Sequence, residues 1–176
     1  LDWSGALAGA DRWPLVPNLP YNVATTLARD LLEGVPAIDR MVVMVQREVG
    51  ERLAARVGDA GYGAVSVKVA YWATASIAGR VPSTVFVPKP RVESALVHIA
   101  RQRSSGDETV PYARFAALVN AGFATRRKML RRALAGIVST EVMEAAGVEP
   151  SARAEELDVA AWGRLTVCAS NTPEPS

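Results

Sequence analysis

Asn18-Leu19-Pro20-Tyr21, directly after the apolar stretch Pro14-Leu15-Val16, places two hydrogen-bond acceptors, a backbone restraint and an aromatic ring within four residues. That set suits one demanding task, the handling of an exocyclic adenine amine. Such a nitrogen is a poor nucleophile because its lone pair is delocalised into the ring. A site that methylates it must draw it towards tetrahedral geometry with acceptors and hold the flipped base on an aromatic face. The Asn18 side-chain oxygen and the Leu19 carbonyl can each accept one amino hydrogen. Pro20 restricts both neighbours so that the acceptors stay aimed, and Tyr21 offers a stacking surface. The same residues also fit an ordinary strand end running through a turn into a helix, so the wider chain must decide.

The elements around the turn have α/β character. Residues 14–17 are predicted as a short buried strand, and 22–33 as a helix with Val23, Leu27, Leu31 and Leu32 on one side, closed by Gly34 and Pro36. Met41-Val42-Val43-Met44-Val45 is a continuous apolar run of strand length, as expected of a strand covered on both faces. A helix over 47–57 follows, with Val49, Leu53 and Val57 at helical spacing. Two more strands are expected over 73–80 and 92–101, with a Pro-rich segment between them that cannot be a central strand. Gln102 to Thr109 has linker composition. Beyond it, 111–123, 125–135, 139–146 and 158–168 are predicted as helices. Residues 64–72 conflict, because Val65, Val67, Val69 and Tyr71 alternate as a strand would.

Composition narrows the function. The chain has 176 residues, 49% of them hydrophobic, enough for a buried core, with no apolar run long enough to cross a bilayer. The single Cys168 cannot form an internal disulfide, and with His98 as the only histidine no metal or Cys/His nucleophile constellation can be assembled. The net charge of +2 is unevenly spread. Between Arg101 and Arg132 stand eight basic residues (Arg101, Arg103, Arg114, Arg126, Arg127, Lys128, Arg131, Arg132) against Asp107 and Glu108, a segment suited to polyanions.

Several ordered motifs resemble the KsgA family of ribosomal RNA adenine dimethyltransferases, from about Leu15 to about Leu157. They are Asn18-Leu19-Pro20-Tyr21-Asn22; Val45-Gln46-Arg47-Glu48-Val49 with Arg52-Leu53; Tyr62-Gly63 with Ser66-Val67; Phe86-Val87-Pro88-Lys89-Pro90-Arg91-Val92-Glu93-Ser94; Phe123-Ala124-Thr125-Arg126-Arg127-Lys128-Met129-Leu130-Arg131; and Arg153-Ala154-Glu155. The resemblance implies an α/β fold in which the later strands of a Rossmann-like class I methyltransferase sheet, over residues 1–102, precede a small all-helical RNA-binding domain over 103–170 and a disordered tail over 171–176. It also turns 64–72 into a helix. If only the later strands are present they still form one block, with the strand over 14–17 as its edge.

The resemblance assigns the site residue by residue. Asn18, Leu19, Pro20 and Tyr21 form the catalytic turn, and Asn18 also lies against the methyl donor, S-adenosylmethionine. Tyr21 and Phe86 sandwich the target base. Lys89, Arg91, Arg126, Arg127, Lys128, Arg131 and Arg132 contact RNA, the last five from a helix whose Met129, Leu130, Ala133 and Leu134 face the core. The family's Gly-x-Gly turn and acidic donor-binding residues are not matched, since Gly61-Tyr62-Gly63 lies after the Asn-Leu-Pro-Tyr turn in a plain loop. The expectation is therefore an N-terminally truncated chain, inactive alone, with most of the donor site outside it. The implied activity is N6-dimethylation of two adjacent adenines in small-subunit (16S) ribosomal RNA, by a cytoplasmic monomer without metal or membrane association. A large-subunit methylase conferring macrolide resistance, a non-catalytic RNA-binding or ribosome-assembly factor and a DNA adenine methylase are the alternatives.

Overall fold

The computed structural model describes residues 3, 7, 11–17, 21–102 and 111–171, with the side chains of Tyr21, Asn22, Ala24, Thr25 and Arg29 excepted. The expected α/β class is found. Strands β1 (Trp13–Leu15), β2 (Ile38–Gln46), β3 (Ala73–Val81) and β4 (Ser94–Arg101) form an open sheet in the order β1-β2-β4-β3. β1 runs parallel to β2, while β4 is antiparallel to both β2 and β3. Helix α1 (Tyr21–Gly34) connects β1 to β2 and packs on β2. Helix α2 (Arg47–Ala54) follows β2 and packs on β3 and β4.

One strand differs from expectation. The segment predicted as buried over 14–17 is an edge strand ending at Leu15, with Pro14 exposed and Val16 76% exposed. Among the described residues β1 has one neighbour, so its proline need not supply a ladder donor. The β2 run is covered as predicted, with Met41, Val43 and Val45 almost wholly buried and Val42 and Met44 half-buried. Ala95, Val97 and Ile99 of β4 add to the same core. Helix α2 approaches so closely that a Cβ on Gly50 would stand 3.1 Å from both Ala95 Cβ and Val97 Cγ2. It stops at Ala54, earlier than the predicted 57, where the Asp59 carboxylate accepts the Arg56 N–H at 2.7 Å and Gly58 takes a φ of +93°.

The chain divides into two compact units. One holds Leu1–Ala54 and Trp72–Arg103, and the other Ala55–Tyr71 and Ser104–Ser176. Residues 55–71, grouped with the sheet in the sequence reading, thus belong to the helical unit. Helix α3 (Ala64–Trp72) has the helical form that the family resemblance implied. Ser66 Oγ accepts the Gly63 N–H at 3.1 Å, which fastens its first turn as a capping side chain does. Its strand-like alternation arose because Ser66, Val67, Val69 and Tyr71 are all buried, and a helix covered on most sides carries no clear period.

In the helical unit, α4 (Tyr112–Ala124), α5 (Leu130–Ala133), α6 (Thr140–Ala145) and α7 (Val159–Asn171) enclose Phe115, Val119, Leu130, Leu134, Met143, Trp162 and Leu165. Asp158 begins α7 by accepting the Ala161 N–H at 2.7 Å, an N-cap contact. The linker over 102–109 and the tail over 171–176 lie outside the described residues except for Gln102 and for Asn171, which is the last residue of α7 and not part of a disordered tail.

Candidate functional site

Asn18, Leu19 and Pro20 lie outside the described residues; Tyr21 begins α1, and its side chain is likewise outside them. The strand that precedes them in sequence, β1, runs parallel to β2, and the carboxyl ends of such strands are where α/β sheets place ligands. The register brings a second segment to the carboxyl end of β2. Gln46 at the end of β2 and Val81 at the end of β3 both pair with Ser94 at the start of β4. The loop over 82–93 therefore emerges where β2 ends. Arg47 fastens it, donating its backbone N–H to the Glu93 carbonyl at 2.9 Å and its Nη1 to the Glu93 carboxylate at 2.8 Å.

Within this loop a 3₁₀ turn covers Ser83–Val85, and Phe86 follows in extended backbone, half-buried. Lys89 and Arg91 are exposed. The loop can thus offer an aromatic face and two cations at the end of the sheet where the parallel strands β1 and β2 finish.

Helix α1 is secured at its far end by a residue that sequence reading had counted only among the basic ones. Arg101, at the end of β4, donates from Nη1 to Leu32 O at 2.8 Å, from Nη2 to Leu31 O at 3.0 Å and Val35 O at 3.1 Å, and from Nε to Ile38 O at 3.0 Å. The guanidinium adds donors to carbonyls at the helix C-terminus, where Leu31 O and Val35 O also accept the Val35 and Ile38 N–H groups, and it complements the helix dipole. Burial lowers its pKa from the ordinary value, the direction expected for a cation drawn out of water. No local pattern announces this role, because Arg101 acts on carbonyls more than sixty residues away.

The basic cluster in the helical unit is not uniform. Arg126 donates from Nε to the Glu155 carboxylate at 2.8 Å and from Nη2 to Tyr62 O at 3.1 Å and Ala60 O at 3.4 Å. It ties the loop before α3 to the segment before α7, so its guanidinium is engaged within the protein. Arg127, Lys128, Arg131 and Arg132 are exposed. The helix predicted over 125–135 is reduced to Leu130–Ala133, and Met129, expected in the core, is 41% exposed and bridges Arg153. Leu130 and Leu134 are fully buried as expected, while Ala133 is half-buried.

Tyr62 is buried and donates its hydroxyl to Leu157 O at 2.8 Å. Burial, and secondarily the Asp158 carboxylate, push its phenol up to about 12. His98 lies in β4, half-buried, opposite Val42 and Ser76. Among the described residues no group of acidic, His and Cys side chains could hold a metal, and no helix is long and apolar enough to cross a membrane.

The strand ends bear on the methyl donor. The four described strands end on Leu15, Gln46, Val81 and Arg101, none of them acidic, and none runs into a Gly-x-Gly turn. The described residues alone do not fit a complete S-adenosylmethionine site.

Known proteins share sequence and fold with this chain. Among curated proteins, "Ribosomal RNA small subunit methyltransferase A" of Kineococcus radiotolerans is 46% identical over 164 residues, covering 90% of this chain and 54% of that protein. The protein of the same name from Cutibacterium acnes is 44% identical over 168 residues, covering 90% of this chain and 56% of that one. The chain spans about half the length of the curated relatives it matches. Two solved structures share its fold: a dimethyladenosine transferase from Plasmodium falciparum, at a TM-score of 0.74 and 20% identity over 90% of this chain and 67% of that one, and the 23S rRNA methyltransferase ErmE, at 0.67 and 20% over 93% and 67%. With the family model for ribosomal RNA adenine dimethylase matching residues 7–169, the chain belongs to that family.

Proposed function

We propose that this chain is the target-base and RNA-binding portion of an S-adenosylmethionine-dependent methyltransferase that dimethylates N6 of two adjacent adenines in small-subunit (16S) ribosomal RNA. The supporting observation is that β1, which precedes Asn18-Leu19-Pro20-Tyr21 in sequence, runs parallel to β2, at whose carboxyl end the Phe86 loop emerges, in a chain that belongs to this family. The donor, when bound, supplies an electrophilic methyl group; the residues of this chain act on the acceptor.

An adenine leaves its stack and lies between Tyr21 and Phe86. Asn18 Oδ1 and the Leu19 carbonyl accept the two amino hydrogens, which draws the lone pair out of conjugation and aims it, while Pro20 keeps the turn from relaxing. Asn18 also borders the donor. Lys89 and Arg91 hold phosphates beside the flipped nucleotide, and Arg127, Lys128, Arg131 and Arg132 hold phosphates from the helical unit. Arg126 supports this surface from within. The protein works as a monomer in the cytoplasm.

The test joins this chain to the preceding half of the Kineococcus radiotolerans methyltransferase and supplies labelled donor with isolated ribosomal subunits. Label in small-subunit adenines is expected. Label confined to the large subunit would reassign the chain to a large-subunit methylase, and RNA binding without any transfer would favour a binding factor.

A further inference from the structure

The loop over 82–93 carries more apolar surface than stacking by Phe86 requires. Val87 is 99% exposed, Val85 61% and Val92 42%. A single exposed valine is ordinary on a protein surface; three within eight positions form a local apolar prominence. Exposed cations rim it at Arg80, Lys89 and Arg91, and its one carboxylate, Glu93, is held by Arg47 at 2.8 Å. Phe86 is half-buried while Val87 is almost wholly exposed, so the valine projects into solvent where the phenylalanine is partly covered by the protein.

We propose that Val87 is an apolar wedge that enters the RNA stack at the place vacated by the flipped adenine, with Val85 beside it and Arg80, Lys89 and Arg91 on the flanking phosphates. Extruding a base exposes the faces of its two neighbours to water, and a branched apolar side chain in the gap recovers part of that cost. The positive rim fits a polyanion, and the apolar tip fits the bases it encloses. Phe86 would then hold the extruded base while Val87 holds the gap open. This deepens the proposed function and rests on it.

The test compares the chain with Val87→Ser, Val87→Leu and the double variant Lys89→Gln/Arg91→Gln. Each is titrated without donor against a hairpin RNA whose loop carries two adjacent adenines and against the same stem closed by a loop without adenine. The wild type is expected to prefer the adenine hairpin. Val87→Ser should lose about tenfold in affinity for that hairpin alone, with an unchanged dependence on salt, whereas Val87→Leu should bind as the wild type does. The double cation variant should weaken binding to both RNAs and flatten the salt dependence by roughly 1.5 units of slope. Preference retained in full by Val87→Ser, or lost equally on both hairpins, overturns the wedge alone. A wild type with no preference for the adenine hairpin overturns the functional reading and the wedge with it.

Discussion

Arg126 and Arg127 are adjacent in sequence and opposite in use. Arg126 is tied to Glu155 and two carbonyls, while Arg127 is exposed. Arg126→Gln should therefore lower the unfolding free energy by about 1–3 kcal/mol with little change in the salt slope of RNA binding, and Arg127→Gln should do the reverse. Urea unfolding and RNA titration at several salt concentrations separate the two outcomes. Tyr62 offers a pH test. Its phenol lies at about 12 in the folded chain against 10.0 for an ordinary tyrosine, so between those values the unfolded chain gives up the proton and the folded chain keeps it. Its contribution to stability is full below pH 10.0 and is lost as pH rises to about 12. Tyr62→Phe should be less stable at neutral pH, having lost the bond to Leu157 O, and should decline less steeply over that alkaline window. An unchanged slope would contradict this. The basic cluster was legible in the sequence, but its division into an internally paired Arg126 and exposed neighbours was not. Which guanidinium meets an internal carbonyl depends on partners some sixty-five residues away.

At the scale of elements, Arg101 makes the position of α1 depend on the end of β4. Arg101→Met leaves the carbonyls of Leu31, Leu32, Val35 and Ile38 without this donor and should cost about 2–3 kcal/mol. Arg101→Lys should recover only part of that, because an ammonium cannot span the same fork of acceptors. In the helical unit, a Cβ on Gly122 would lie 3.2 Å from Trp162 Cζ2 and 3.3 Å from Cζ3, and nearer still to Cη2. Gly122→Ala should accordingly destabilise that unit by about 1–3 kcal/mol despite its better helix propensity; a stabilised variant in thermal unfolding would refute this packing. The strand β2, from its continuous apolar run, and the helix α4 were legible from the sequence. The segment over 125–135 was not. Leu130 N–H bonds to Ala152 O at 2.8 Å and Arg131 N–H to Pro150 O at 3.1 Å, so contacts from a distant segment take donors that a longer helix would have used. Tertiary pairing overrode a good helical pattern there.

For the whole molecule, the open order β1-β2-β4-β3 explains how a chain about half the length of its relatives can still hold a folded sheet. Each strand after β1 pairs with another described strand, and the β2 and β4 cores are buried against one another. The same order leaves β1 on an edge with Val16 exposed, a place where strands of other molecules can add. The chain alone should therefore be more prone to aggregation than the chimera with the Kineococcus radiotolerans half, as light scattering at matched concentration would show. The α/β class and the family were legible because motifs hold their spacing even where local structure is irregular. The local apolar pattern read β1 as buried, and its edge position was legible only through the sheet order that the family resemblance implied. The central claim concerns the Asn-Leu-Pro-Tyr turn, and Asn18→Ala in that chimera tests it most directly, with methyl transfer and RNA affinity measured on the same preparation. Transfer should fall by about a hundredfold or more while the RNA dissociation constant stays within about twofold; equal loss of both, or transfer at the wild-type rate, would contradict the role assigned to Asn18.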